Sequence, residues 1–195
     1  MKLLVLALTA LLPCLAASSD ADSGKALGSP SAPVRIEIFS DFECPACKGL
    51  HEQILPLLFK DYVIPGKVYL VSREFPLQMH PYSREAAGYA TAAARFGRYE
   101  QVADTLFLNQ VAWSASGKVW DTVANVLTPA EAKKVQVLAK DPSVLSAVQH
   151  DLDAGMAAGI NQTPTMFVTH GTSRFPIAGA VNYNLLRSML DGLLK

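Results

Sequence analysis

The sequence predicts an α/β fold in which a βαβ unit and a ββα unit enclose a block of helices. Two stretches rich in β-branched and aromatic residues, 34–39 and 67–75, flank a segment whose apolar residues recur at helical spacing. From 81 to 159 only helical patterns occur, and strand character returns at 165–169. A strand–helix–strand order of this length is typical of a right-handed parallel βαβ unit, so we expect the first two strands to be parallel.

Within the βαβ unit, the helix is predicted over 44–60, because Leu50, Ile54, Leu57 and Leu58 fall on one helical face. Pro56 is expected to kink this helix, since proline cannot donate the backbone hydrogen bond. Pro76 ends the second strand.

The helical block divides at its capping residues and glycines. Segments 83–96, which is Ala-rich and ends at Gly97, 99–110 and 119–127 are predicted helices. Thr128-Pro129-Ala130-Glu131 is a capping box, and Asp141-Pro142 caps a further helix that runs toward Met156. Trp113 and Trp120 are expected to be core or rim aromatics. After this block we predict a hairpin that turns near His170-Gly171 and has its second strand at 175–177. A C-terminal helix over 182–194 follows, and its apolar residues form one face: Leu185, Leu186, Met189, Leu190 and Leu193.

The charge balance gives no reason to expect a strongly charged partner. The chain has 195 residues with 17 acidic and 17 basic side chains, which suits one globular domain. Because no Lys/Arg cluster is present, nothing in the charge pattern favours nucleic acid or an anionic membrane surface. We therefore expect no nucleic-acid partner.

The first residues are typical of a secretory signal peptide, predicted over 1–18. Lys2 precedes an apolar run at 3–12 that is too short for a comfortable membrane span, and small residues follow at 16–19. Cys14 would suit a lipoprotein, but Pro13 argues against it because a small residue normally precedes the lipid-bearing cysteine. We expect a flexible tether at 19–32 and a single domain at 33–195, with the helical insertion at about 80–159.

The sequence contains three cysteines, and loss of the signal peptide would leave only Cys44 and Cys47. A bridge across four adjacent residues constrains the unfolded chain little, so this pair is expected to be chemical rather than structural. Cys44 is predicted at the N-cap of a helix, where the dipole and free N–H groups favour the thiolate. We therefore expect Cys44 to be a nucleophile, with Cys47 on the same face forming a reversible disulfide with it.

Two other interpretations compete with this chemistry. Cys44, Cys47 and His51 share one helical face and His80 could approach them, but a structural zinc site normally takes four ligands from separated turns. Lys48 stands where covalent c-type haem attachment needs histidine. We expect His51 to be solvated, and no metal or other cofactor. A non-catalytic binding module with an inert disulfide is the remaining alternative.

The order of these motifs resembles a known family. Cys44-Pro45-Ala46-Cys47 follows an Ile-Glu-Ile-Phe-Ser strand, Phe75-Pro76-Leu77 and His80-Pro81 precede the helical block, and Thr163-Pro164 precedes a later strand. This arrangement resembles the DsbA-like branch of the thioredoxin superfamily over residues 33–195. The resemblance implies a thioredoxin fold, βαβ…ββα, with an all-helical insertion of the DsbA type.

The resemblance also implies roles for residues outside the cysteine pair. Pro164 would be a cis-proline lying against the disulfide, and the backbone of Thr163 would pair with an extended substrate segment. Pro45 and Ala46 would contact the same substrate. Glu37 would be the buried acid that moves protons to and from the second cysteine, if one residue is counted as inserted before the cysteine pair.

The expected function is that of an exported thiol:disulfide oxidoreductase in the periplasm or another extracytoplasmic compartment. Its substrates would be cysteine-containing exported proteins, and a membrane redox partner would reset its disulfide. The oxidising direction is favoured, with disulfide reduction as the alternative. Pro45-Ala46 lacks the histidine of the strongest oxidants and Glu43 adjoins the nucleophile, so we expect a weaker oxidant. The short tether leaves no room for a dimerisation module, which favours a monomer.

Overall fold

A five-stranded mixed sheet forms the base of the molecule in a computed structural model that describes residues 24–195. The strand order is β1-β3-β2-β4-β5. The strands are β1 (Ala26–Leu27), β2 (Val34–Ser40), β3 (Val68–Glu74), β4 (Thr165–His170) and β5 (Ser173–Ala178). Strands β2 and β3 are parallel, whereas β4 runs antiparallel to both β2 and β5. The predicted βαβ unit and hairpin are confirmed.

The first helix continues unbroken over four segments, which are α1 (Pro45–Gly49), π1 (Leu50–Ile54), α2 (Leu55–Leu58) and π2 (Phe59–Val63). It therefore ends beyond the predicted residue 60. The π-helical turn π1 comes just before Pro56, which removes an N–H and crowds the carbonyl four residues earlier. The predicted distortion at Pro56 thus takes the form of a widened turn.

Seven further helices follow, six of them in the insertion. They are α3 (Ser83–Ala94), α4 (Tyr99–Leu108), α5 (Gln110–Ser116), α6 (Val119–Ala124), α7 (Pro129–Leu138), α8 (Pro142–Ala157) and the C-terminal α9 (Tyr183–Leu193). The capping box at Thr128 is present, with both of its hydrogen bonds. Helix α5 was not predicted as a separate element, because no proline or glycine marks the break at Asn109. Across residues 24–195, no helix combines the length and apolarity that crossing a bilayer requires.

The core has two main parts, and both cysteines belong to one of them. One part packs apolar side chains of β2 and β3 against the first helix and α9, including Ile36, Leu58 and Leu190. The other lies inside the insertion and contains Cys44 and Cys47 together with Ala-rich helix α3. Trp113 belongs to this second part as predicted, whereas Leu185 of α9 is 72% exposed and does not share the predicted apolar face.

Helix α8 fastens the insertion to the opposite side of the sheet. Phe39, Phe75 and Phe167 pack edge to face there. A Cβ at Gly155 of α8 would lie 2.5 Å from the Phe75 ring, so only glycine allows this close approach. The insertion is therefore held rigidly against the strands that carry the site.

The segment before β2 differs from the predicted tether. Residues 26 and 27 form β1, which pairs with β3 at Val71 and Leu70. Lys25 is 3% exposed and forms a buried ion pair with Asp151 of α8. Residues 24–32 therefore belong to the domain, because strand β1 pairs with the sheet and Lys25 pairs with helix α8. The predicted signal peptide, Cys14 and residues 19–23 lie outside the described residues.

Candidate active site

The loop between β2 and the first helix is held by one buried carboxylate. Asp41 is 1% exposed and accepts hydrogen bonds from the backbone N–H of Glu43 and of Leu77, each at 2.7 Å. The Nδ1 atom of His80 lies 2.8 Å from the same carboxylate. Because three separate groups converge on Asp41, the chain reaches the helix start in a defined conformation.

Cys44 occupies the N-cap of the first helix, as the sequence predicts. Its backbone is extended, with φ −78° and ψ 121°, and Pro45 follows in the first turn. The carbonyl of Cys44 accepts a hydrogen bond from Nε2 of Gln110 at 3.0 Å, and the same amide bonds the Phe42 carbonyl at 2.7 Å. Gln110 begins helix α5, which the sequence analysis did not separate from α4, and so its role was missed.

The surroundings of Cys44 favour its thiolate. The hydrogen bond from the Cys47 thiol is the largest effect and lowers the pKa of Cys44 to about 5, although burial opposes it. Hydrogen bonds from the backbone N–H groups of Ala46 and Cys47 lower this pKa further. Both thiols are free, so this is the dithiol form.

Cys47 has the opposite character. It is 1% exposed, and burial together with the hydrogen bond that its thiol donates to Cys44 raises the pKa of Cys47 well above its ordinary value. Its Sγ accepts the backbone N–H of Asp41 at 3.4 Å and also bonds Ser40. At neutral pH the site therefore pairs one thiolate with one thiol.

The loop before β4 lies against Cys44. The Thr163–Pro164 peptide bond is cis, as the resemblance implied. The carbonyl oxygen of Thr163 lies 3.5 Å from the Cys44 sulfur. Pro45 and Ala46 are exposed beside the buried cysteines, so this corner of the surface offers both backbone and apolar contacts.

Glu37 does not occupy the position of an isolated buried acid. Its carboxylate accepts hydrogen bonds from Arg73 at 2.9 Å, Arg35 at 3.3 Å and Arg174 at 3.4 Å, and its side chain is 16% exposed. Partial burial alone would raise the pKa of Glu37, but the hydrogen bond from Arg73 and the charges of both Arg35 and Arg73 lower it overall. Glu37 is thus an ion-paired carboxylate on the sheet face opposite the first helix.

Glu74 also carries a fully buried carboxyl group, which the sequence analysis did not single out. Burial raises the pKa of Glu74 to about 7. The hydroxyl of Tyr99 donates a hydrogen bond to its Oε1 at 2.9 Å. A signal was available, because strand alternation places Glu74 on the same face as Val68 and Leu70, which are buried.

Neither candidate histidine is directed toward the cysteines. Nε2 of His51 lies 2.7 Å from Asp104 and its ring stacks on Phe107, so His51 is not the solvated residue that the sequence predicted. His80 bonds Asp41 instead. Among residues 24–195, no three His, Cys, Asp or Glu side chains are arranged to hold a metal ion.

Comparisons with known proteins agree on the fold. The sequence model of a family described as Thioredoxin matches residues 20–191. BdbD from Bacillus subtilis superimposes with a TM-score of 0.74 at 23% identity, over 90% of this chain and 95% of that one. DsbA1 from Wolbachia pipientis superimposes with a TM-score of 0.72 at 18% identity, over 87% of this chain and 89% of that one. These likenesses show a DsbA-type thioredoxin fold with its helical insertion.

Curated relatives are longer proteins. A Na⁺/H⁺ antiporter, NhaA 1 of Mycolicibacterium gilvum, is 29% identical over 171 residues, which is 85% of this chain and 26% of the antiporter. A probable disulfide bond formation protein D of Bacillus cereus is 42% identical over 52 residues, or 27% of this chain and 24% of that protein. The chain thus spans about a quarter of the length of the curated relatives that it matches.

Proposed function

This chain belongs to the thioredoxin family and has a DsbA-type fold, and from that premise we propose that it is an exported thiol:disulfide oxidoreductase. Cys44 is the nucleophile and Cys47 the resolving cysteine. The proposal depends on one observation: Cys44 stands at the helix N-cap, 3.5 Å from the Thr163 carbonyl oxygen that precedes the cis bond, whereas Cys47 is 1% exposed. Such a pair provides a reactive thiolate and a protected thiol within one short motif.

In the oxidising direction, a substrate thiolate attacks the Cys44 sulfur of the Cys44–Cys47 disulfide. The disulfide breaks, Cys47 leaves and takes up a proton, and a mixed disulfide remains on Cys44. A second substrate thiolate then attacks the substrate sulfur of the mixed disulfide, so that Cys44 leaves as a thiolate. The substrate loses two electrons and the protein gains them.

The direction follows from the stability of the reduced form. A leaving thiol of low pKa departs faster, and a stabilised Cys44 thiolate makes the reduced protein more stable and the disulfide more oxidising. The pKa of about 5 for Cys44 therefore supports disulfide donation. In the reducing alternative, Cys44 attacks a substrate disulfide and Cys47 resolves the intermediate.

Thr163 and Pro164, with Pro45 and Ala46, form the proposed contact surface for the substrate. An extended segment of a cysteine-containing exported protein would pair its backbone with the Thr163 carbonyl group, which stands beside the reacting sulfur. We further propose a periplasmic or comparable location, reached by a cleaved signal peptide at 1–18 without lipidation of Cys14. A membrane redox partner would reset the disulfide of a protein that acts as a monomer.

The equilibrium redox potential of the Cys44–Cys47 pair in glutathione buffers tests this function. A potential of about −180 mV or above supports disulfide donation, and a value near about −270 mV would make the protein a reductase. A Cys44→Ser variant should lose oxidation of a reduced dithiol peptide. If that variant kept full activity, or if the wild-type pair never exchanged with glutathione, the non-catalytic alternative would replace the proposal.

A further inference from the structure

A cavity of about 360 Å³ lies behind the active-site helix, between that helix, the sheet and helix α4. Most of its wall is apolar, but the resolving Cys47 lines it together with the hydroxyl-bearing residues Ser40, Ser72 and Tyr99. A water molecule takes about 30 Å³ in the liquid, so this space admits several. The buried Cys47 sulfur therefore adjoins a space that is large enough to hold water.

Hydroxyl groups connect this cavity to the buried carboxyl of Glu74. Ser40 hydrogen-bonds Cys47 and is aligned with Glu74 across the parallel pair β2–β3. On the far side of the cavity, the Tyr99 hydroxyl bonds Ser72 and donates to Glu74 at 2.9 Å. Tyr99 belongs to the insertion, whereas Glu74 ends a strand of the sheet, so the two parts of the fold meet at this hydrogen bond.

Glu74 can change protonation state near neutral pH despite its burial. Burial raises its pKa, and the charge of Lys25 opposes this effect while Asp151 and Asp41 add to it. The backbone N–H of Glu74 donates to Asp151 at 3.2 Å, which holds the end of the strand in place. A carboxyl poised near pH 7 is suited to take up a proton and to return it.

We propose that Glu74, acting through the Tyr99 hydroxyl and the adjoining cavity, accepts the proton of Cys47 when this cysteine resolves a mixed disulfide. This inference rests on the proposed function. The Cys47 S–H bond breaks, the proton passes along hydroxyl groups and water to the Glu74 carboxylate, and the Cys47 sulfur attacks Cys44. The mixed disulfide breaks and its other sulfur leaves as a thiolate. In the oxidising direction Glu74 returns the proton to Cys47.

Two other acids are less suited to this role. Glu37 is neutralised by three arginines, and the pKa of its carboxyl is lowered. Glu100 also lines the cavity and burial raises its pKa. However, the charged groups that act on Glu100 are His51 and Asp104, whereas the Tyr99 hydroxyl bonds Glu74. Glu100 therefore provides a matched control on the same helix as Tyr99.

The test separates the two chemical steps in time. Reduced wild-type protein is mixed with oxidised glutathione, quenched with acid at intervals and analysed by mass spectrometry. Attack by Cys44 gives the glutathione adduct at a rate proportional to glutathione, whereas resolution by Cys47 is independent of it. The measurement is repeated from pH 5.5 to 9 for Glu74→Gln, Tyr99→Phe and Glu100→Gln.

We expect Glu74→Gln to slow resolution about tenfold or more below pH 7, since general acid–base catalysis commonly contributes about 10²–10⁴. In the wild type the resolution rate should level off above pH 7, whereas in Glu74→Gln it should keep rising, so that the two converge. Tyr99→Phe should show the same slowing of resolution and the same pH profile as Glu74→Gln. Glu100→Gln should resolve the adduct at the wild-type rate. Adduct formation should stay within about twofold throughout, which a general loss of folding would not allow.

The inference would be overturned if both Glu74→Gln and Tyr99→Phe resolved the adduct at the wild-type rate and with the wild-type pH profile. It would also be overturned if Glu100→Gln showed the slowed resolution instead. In each of these cases the wild type still completes both steps, and the proposed function stands. A wild-type protein that forms the adduct but never resolves it would refute the function of Cys47 itself, and the inference with it.

Discussion

Replacing Cys47 by alanine should raise the pKa of Cys44, because the Cys47 thiol supplies the largest stabilisation of the Cys44 thiolate. A hydrogen bond to a charged group contributes about 1.5–3 kcal/mol. Each pKa unit corresponds to about 1.36 kcal/mol, so the loss of this bond should raise the pKa by about one to two units. Starting from about 5, the Cys44 pKa in Cys47→Ala should lie near about 6–7.

The assay follows thiolate absorbance in the ultraviolet and the rate of alkylation by iodoacetamide as functions of pH. Cys47→Ser is the matched control, since its hydroxyl keeps a donor in the same position, and its Cys44 pKa should stay within about half a unit of the wild type. An unchanged pKa in Cys47→Ala would refute the reasoning. The backbone N–H groups at the helix N-terminus would then account for the thiolate without help from the second cysteine.

Three further predictions concern the scaffold. Lys25→Ala should lower the free energy of unfolding by about 3 kcal/mol in urea titrations, because it leaves the buried Asp151 without this partner. Gln110→Ala should cost about 2–4 kcal/mol in the same assay, since two buried loop carbonyls lose their donor. Glu74 holds its proton more tightly when folded, so its contribution to stability is complete below about pH 4.5 and falls by about 3 kcal/mol as pH rises through about 7. Glu74→Gln should remove that loss, and equal slopes of stability against pH in both proteins would contradict it.

Local patterns predicted those parts of the fold that local physics decides. Strand and helix periodicity located β2, β3 and β4, and capping residues located the starts of α7 and α8 at Thr128 and Asp141. The N-cap position of Cys44 also follows from the motif itself. Each of these features depends on residues that are close together in the sequence, whereas the cis bond at Pro164 was implied by the family resemblance.

Features that depend on distant partners were missed. Residues 24–32 look like a tether because they are small and polar, but Lys25 finds Asp151 more than a hundred residues later. The break before α5 has no proline or glycine, so nothing local indicated that Gln110 would reach back to the Cys44 carbonyl. Glu37 looked like a buried acid in an apolar strand, but it pairs with Arg35 of its own strand, Arg73 of β3 and Arg174 of β5.

The helical insertion therefore contributes side chains that contact the site, in addition to packing against it. Gln110 fixes the peptide that carries Cys44, and Tyr99 donates a hydrogen bond to the buried carboxyl of Glu74. Both residues come from the helical block, whereas the cysteines come from the βαβ unit. Because α8 locks the block against the sheet through Gly155, the distances between these groups are set by the packing of the two cores. A substitution in that packing should consequently change the rate of disulfide resolution before it unfolds the protein.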